Sequence, residues 1–388
     1  MTLSSYHTST FNKILFHSFV KRKDCANLAA YVRMKKECYG VVMRLALTFL
    51  TVIFLTYGVA LAQEASEDQG GMSHVGPVTF DFPVACDLNV DCFAVNYVDQ
   101  QGGDGHADFE CGRKTYDGHK GTDFAVVNRR DMQRGVNVLA ARAGKVLRVR
   151  NGESDAIKTE DEFEAIKKSG KECGNGVLVE HEDGWQSLYC HLKNNSIVVK
   201  PDQHVNAGDV LAQVGESGYS EFPHLHFALL KKGQYIDPYT GLVKETGCNL
   251  HQQSLWSEPI EYAPFTVFDS GFDIEVPDFT KLRRGEYQKP DFIPLDAPSL
   301  VFWFATYHSV EGDVVRIYIT GPNGHKFHQY DFTMQHNKKR PNYYYAGRKT
   351  QLYKLHAGEY KAQVTIARRD DQGNIIAQDT FQDVIHVK

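Results

Sequence analysis

The sequence predicts an all-β protein made of two antiparallel units, and three observations carry that prediction. Its apolar runs are short, Gly, Asp, Asn and Pro punctuate them at close spacing, and one stretch alone has helical periodicity. In the first unit, residues 77–264, strand-like runs fall at 145–149, 176–180, 185–191, 196–199 and 210–214. The exception is 156–168 (AIKTEDEFEAIKK), where Ile157, Phe163 and Ile166 give a thin apolar stripe, as expected of a surface helix inserted between strands. A connector, 265–298, is punctuated by Pro277, Pro290, Pro294 and Pro298. Runs at 300–306, 314–320, 326–332, 359–367 and 375–387 then predict a small immunoglobulin-like β-sandwich over 299–388. Gly321-Pro322-Asn323-Gly324 and Asp370 to Gly373 mark its tight turns.

The amino-terminal end reads differently. Residues 45–62 form the single long apolar run, Arg44 precedes it, and Ala60-Leu61-Ala62 supplies the small residues a signal peptidase requires. Residues 43–62 are therefore expected to be a signal peptide, with an uncleaved membrane anchor as the alternative. Met34 and Met43 offer later starts, so residues 1–42 read as an over-long extension, and 63–76 as a flexible linker. This layout predicts an exported protein, periplasmic or extracellular, with no stable membrane span after cleavage. The net charge is -5, but residues 1–62 carry +6, which leaves an acidic body of -11. Without a basic stripe, nucleic-acid binding is not expected. Cys86, Cys92, Cys111, Cys173, Cys190 and Cys248 lie behind the export signal with no C-x-x-C pair, so they predict disulfides rather than a thiolate metal site.

Three segments carry chemistry. Gly118-His119-Lys120-Gly121-Thr122-Asp123 leads into an apolar strand and places an imidazole near a carboxylate, a pair that suits zinc. Ser187-Leu188-Tyr189-Cys190-His191 is a strand ending in histidine. In Pro223-His224-Leu225-His226-Phe227, residues two apart share a strand face, so both histidines point one way and Leu225 and Phe227 the other. Two histidines on a strand otherwise apolar are costly unless hydrogen-bonded or ligated.

In this order the segments resemble the lysostaphin-type (LytM-like) zinc peptidases, as do the phrases Val205-Asn206-Ala207-Gly208-Asp209 and Val214-Gly215. The resemblance spans about residues 110–240. It implies that His119, Asp123 and His226 bind one Zn2+ per chain, with His191 and His224 as the catalytic pair. Three protein ligands leave a tetrahedral position open for water, the arrangement of a catalytic zinc. The implied activity is endopeptidase cleavage of peptide stems or cross-bridges in bacterial peptidoglycan. The alternative is a catalytically silent wall-binding regulator that activates other hydrolases.

Beyond these residues, Asp117 is a candidate to orient His119. His106, His181, His204 and His251 sit in polar or turn contexts and match no position of that family. His308, His325, His328, His336, His356 and His386 read as exposed residues of the second unit. Tyr343-Tyr344-Tyr345 beside Lys338-Lys339-Arg340 reads as a turn or strand edge. The second unit carries no catalytic cluster, and its expected partner is the wall or another protein. On that reading its deletion spares activity on soluble fragments.

Overall fold

The computed structural model describes residues 78–250, 253–337 and 341–388. The predicted extension, signal peptide and linker lie outside them, as do His251 and the basic triplet 338–340. Among the described residues, no helix is long and apolar enough to cross a membrane.

The first unit is built on β1 (Cys92–Asn96), β2 (Thr122–Val126), β3 (Asn137–Leu139), β4 (Gly144–Arg150), β5 (Asn175–Glu180), β6 (Trp185–Leu192), β7 (His204–Val205), β8 (Val210–Gln213), β9 (His224–Lys231) and β10 (Gln234–Ile236). Eight of these form one sheet in the order β1-β2-β9-β6-β5-β4-β7, with β10 beside β9, and β3 pairs β8. Every pairing is antiparallel, as the short strands and tight turns require. Phe124, Val177, Val179, Tyr189, Leu225, Phe227 and Leu229 alternate along the central strands and fill the core beneath. The residues between them on β2, β6 and β9 face the opposite side, where the polar cluster sits.

Three local expectations change, the first through an additional short helix, Arg129–Arg134, capped by the Asn128 side chain. The expected helix runs Glu160–Lys168, four residues shorter than its pattern, because Thr159 caps it. Thr159 takes an extended conformation and forms a capping box with Glu162. Residues 196–199 form no strand: Val198 makes a lone bond to the Leu211 carbonyl, while the Ser196 hydroxyl turns back to Lys193.

The second unit holds β11 (Thr266–Asp273), β12 (Ser299–Tyr307), β13 (Val314–Thr320), β14 (Lys326–Thr333), β15 (Asn342–Lys349), β16 (Gly358–Arg369) and β17 (Ile375–Val387). A three-stranded sheet β11-β12-β15 faces a four-stranded sheet β14-β13-β16-β17. Leu300, Phe302 and Phe304 pack from one sheet against Val315, Ile317, Val364 and Ile366 from the other. Phe304 meets Phe381 across the gap at 5.5 Å between ring centres. The expected connector is thus partly a strand, β11, and the tyrosine triplet lies within β15, paired to Trp303, Phe304 and Ala305. β12 is covered on two faces: Trp303 and Ala305 bury against Leu282 of a short helix, Phe279–Arg284.

The two units meet along one apolar seam. Phe93, Val95 and Ala125 from β1 and β2 pack with Tyr307 from the end of β12, flanked by Val127, Phe222 and Phe268. His308, expected to be exposed, is 5% exposed at this seam. It follows Tyr307 into a turn that folds back on β1, which no feature of its local sequence announces. His328 is half-buried, while His325, His336, His356 and His386 are exposed as expected.

Candidate metal centre and catalytic site

Three neighbouring strands and one turn bring the cluster together. In β2 and β9, Asp123 lies directly across from His226, and in β6 Cys190 lies across from His226 on the other side. His224 and His226 share a face two residues apart, as the period of a strand dictates. His119 enters from the turn before β2 and reaches the same point. Its Nε2 lies 3.1 Å from Asp123 Oδ1 and 3.1 Å from His226 Nδ1, and His226 Nδ1 lies 2.8 Å from Asp123 Oδ1. These three residues form a group able to hold a metal ion, and they are buried or nearly so. Gly121 permits the approach, since a Cβ there would come within 2.9 Å of the His226 ring.

The hydrogen bonds fix which ring nitrogens face inward. His119 Nδ1 donates to the Tyr97 carbonyl at 2.6 Å, so its Nε2 presents a lone pair to the cluster. The His191 Nδ1 donates to the Ser217 carbonyl at 2.8 Å, and His224 Nδ1 to the Phe222 carbonyl at 2.9 Å. Each anchored ring is thereby left with an unprotonated Nε2; that of His224 lies 3.6 Å from Asp123 Oδ1, and the His191 ring lies 4.6 Å from the His224 ring. Two imidazole lone pairs and a carboxylate oxygen converging in a buried space repel one another unless a cation or proton lies between them. The donor set of two nitrogens and one oxygen fits zinc.

Electrostatics point the same way. Burial opposes ionisation of Asp123, yet the imidazoles of His119, His224 and His226 around it favour the carboxylate and hold the carboxyl well below the usual range. Burial, together with the neighbouring His224 and His226, pushes His191 well below the ordinary histidine range. Burial likewise lowers His224. Both rings are thereby kept neutral near pH 7, as a proton acceptor must be.

Residues 117–238 form a domain of peptidase family M23. Within the M23 domain lie all five residues singled out from the sequence. The curated relatives match it over short stretches. One is the outer membrane antigenic lipoprotein B of Histophilus somni, 33% identical over 120 residues, 31% of this chain and 28% of that protein. Another is the DD-carboxypeptidase/endopeptidase Mpg of Neisseria meningitidis serogroup B, 37% identical over 65 residues, 17% of this chain and 14% of that protein. A third is the murein hydrolase activator NlpD of Salmonella dublin, 35% identical over 65 residues, 17% of this chain and 16% of that protein. The chain thus spans less than a third of the length of each of these relatives.

Several residues around the M23 cluster carry no sequence signal. Asp117 is exposed and does not orient His119; the Tyr97 carbonyl does. Asn96, across from Asp123 in β1, donates through Nδ2 to Asp123 Oδ2 at 2.7 Å. The disulfides pair Cys86 with Cys92, Cys111 with Cys248, and Cys173 with Cys190. Cys173–Cys190 sits beside His191, whose amide donates to the Cys173 carbonyl at 2.8 Å and whose φ of 59° is left-handed. Such a conformation in a non-glycine costs energy and marks a position held by its surroundings. The inserted segment joins this support. Asp155 accepts from the Glu216 amide, Lys158 donates to the Glu216 carbonyl, and Phe163 packs on Tyr219 at 4.8 Å. It fastens the loop whose Ser217 carbonyl anchors His191.

Proposed function

We propose that the chain is an exported zinc-dependent endopeptidase that hydrolyses peptide bonds in bacterial peptidoglycan. The observation that carries the reading is the convergence of His119 Nε2, Asp123 Oδ1 and His226 Nδ1 beside two further histidines, His224 with Nε2 3.6 Å from Asp123 Oδ1 and His191 with its ring 4.6 Å from that of His224. His119, Asp123 and His226 would hold the ion. Zinc held there would polarise a carbonyl and lower the pKa of water to about 7. His191 and His224, neutral and fixed by carbonyl bonds, take the proton of the attacking water and then donate to the oxyanion. Exposed Tyr116, its ring tilted against His119 at 4.3 Å, and exposed Tyr219 offer apolar surface to a peptide. Three disulfides fit an oxidising, exported setting.

Digestion of purified peptidoglycan by residues 63–388, with fragments read by mass spectrometry, tests this. New peptide-bond products that vanish with chelator and return with zinc are expected. The similarity to a relative named as a murein hydrolase activator favours a second reading, a wall-binding regulator. Folded, zinc-loaded protein that yields no products decides for that one.

A further inference from the structure

The carboxylate of Asp123 has two oxygens in different surroundings. Oδ1 faces His119 and His226, and Oδ2 accepts from Asn96 at 2.7 Å. Asn96 occupies this place through a bulge. The β1–β2 register pairs Ala94 with Phe124 and then Asn96 with Asp123, passing over Val95. Without the extra residue Val95 would stand across from Asp123; with it, the amide does, and Val95 turns into the apolar seam instead.

The amide is itself held from the second unit. His308 Nε2 lies 3.0 Å from Asn96 Oδ1, although 212 residues separate them. The polarity of this chain of bonds is fixed. An ionised carboxylate only accepts, so Asn96 must present Nδ2 to Asp123 and Oδ1 to His308, and His308 must donate through Nε2. A flipped amide would set oxygen against carboxylate. Asn96, Asp123 and His308 are 8%, 2% and 5% exposed, so water does not compete for these bonds. His308 takes a left-handed φ of 53°, strained for a non-glycine. The seam of Phe93, Val95, Ala125 and Tyr307 packs immediately beside the relay and holds both its ends. The Tyr307 ring also packs at a tilt against Phe222, 5.3 Å between centres, and Phe222 against His224 at 4.6 Å.

We propose that the carboxy-terminal sandwich completes the metal centre: His308 fixes the Asn96 amide, which holds Asp123 Oδ2 so that Oδ1 alone is offered to the metal. This rests on the metallopeptidase reading above. His308 and Asn96 are positioning residues, and neither touches the reacting atoms. The second unit is then part of the enzyme rather than a detachable wall-binding module.

The test uses the mature chain and the variants Asn96→Ala, His308→Ala, their double, and His308→Gln. Zinc affinity is measured by competition with a chromogenic chelator, and the visible spectrum is recorded after cobalt substitution. Loss of an outer partner typically weakens metal binding about 10- to 100-fold. Asn96→Ala is expected in that range and His308→Ala at roughly three- to tenfold, with a shifted cobalt spectrum. His308→Gln should recover most of the loss. The double variant should be no weaker than Asn96→Ala alone, because the two act through one bond. Wild-type affinity and spectrum in His308→Ala, or additive losses in the double, overturn the proposal. Should His308→Ala lower the melting temperature by loosening the seam, Asn96→Asp carries the test. It keeps the side-chain volume but sets a carboxylate against Asp123, and unchanged zinc affinity in it overturns the relay. Wild-type protein that binds no zinc overturns the metallopeptidase reading and the relay with it, whereas zinc-binding wild type with unaffected variants overturns the relay alone.

Discussion

The two units bury polar groups in opposite ways. In the first, His119, Asp123, His191, His224, Asn175, Ser217 and Asp237 are enclosed throughout the interior. In the second, the buried polar residues among those described are Thr266, Thr306, His308, Ser309 and Asp313, at the beginning of β11 and the end of β12 and its turn. Its sandwich interior is mainly Leu, Ile, Val and Phe, joined by Ala, Met334 and Tyr360. Thr266 accepts from Lys114 of the first unit, and His308 bonds Asn96. Burying polar groups is costly unless each finds a partner. The first unit bears that cost to assemble chemistry, whereas the second bears it where it touches the first. A module that merely carried the first unit to a surface would not need buried polar contacts beside its apolar seam, one of them leading through Asn96 to Asp123.

The strongest way to break this contrast is at the cluster itself. His119→Ala or Asp123→Ala should abolish both zinc binding, measured by metal content after dialysis, and cleavage. His191→Ala should keep zinc while cutting kcat by about 100-fold or more, the contribution typical of a positioned acid–base group. Near-normal turnover in His191→Ala would remove its assigned role.

The next largest effect tests the seam. A chain ending at Pro264 lacks Phe268, Tyr307 and His308, which uncovers Phe93 and Val95 and frees the Asn96 amide. Activity on soluble peptide stems should fall about tenfold or more, by the scale of outer-partner losses. That reverses the outcome expected from domain layout alone, and undiminished activity of the truncated chain would restore it.

Reduction of Cys173–Cys190 should lower activity severalfold without releasing zinc. The bridge holds the backbone of His191, not a ligand. Mass spectrometry of the alkylated thiols alongside metal content and turnover separates these effects.

The smallest effect concerns Lys114. Its ammonium donates to the Ala263 carbonyl and Thr266 hydroxyl, each at 2.7 Å, between the rings of Tyr97 and Tyr262. Burial lowers it to about 7, against the attraction of Asp108 and with help from Arg368. Its folded value lies below the unfolded one, so the unfolded chain binds the extra proton and this penalty fades as pH rises above 7. Relative to Lys114→Met, the wild type should gain about 2 kcal/mol between pH 7 and pH 9 in urea unfolding. A pH-independent difference would mean that Lys114 is not held as a buried cation.

Local sequence was enough to read the all-β class, the alternation of strands and the five residues of the cluster. These are local facts. A strand's period of two places His224 and His226 together whatever the surroundings, and a short turn keeps His119 near Asp123. The tertiary structure alone decided the partners that make the cluster specific. The Tyr97, Ser217 and Phe222 carbonyls carry no side-chain signature, so no residue type marks them in advance. Asn96 reaches Asp123 only through strand pairing and a one-residue bulge, and His308 reaches Asn96 only after the second unit docks. A hydrogen bond across 212 residues leaves no periodicity in the chain, because its geometry is set by register and packing rather than by spacing.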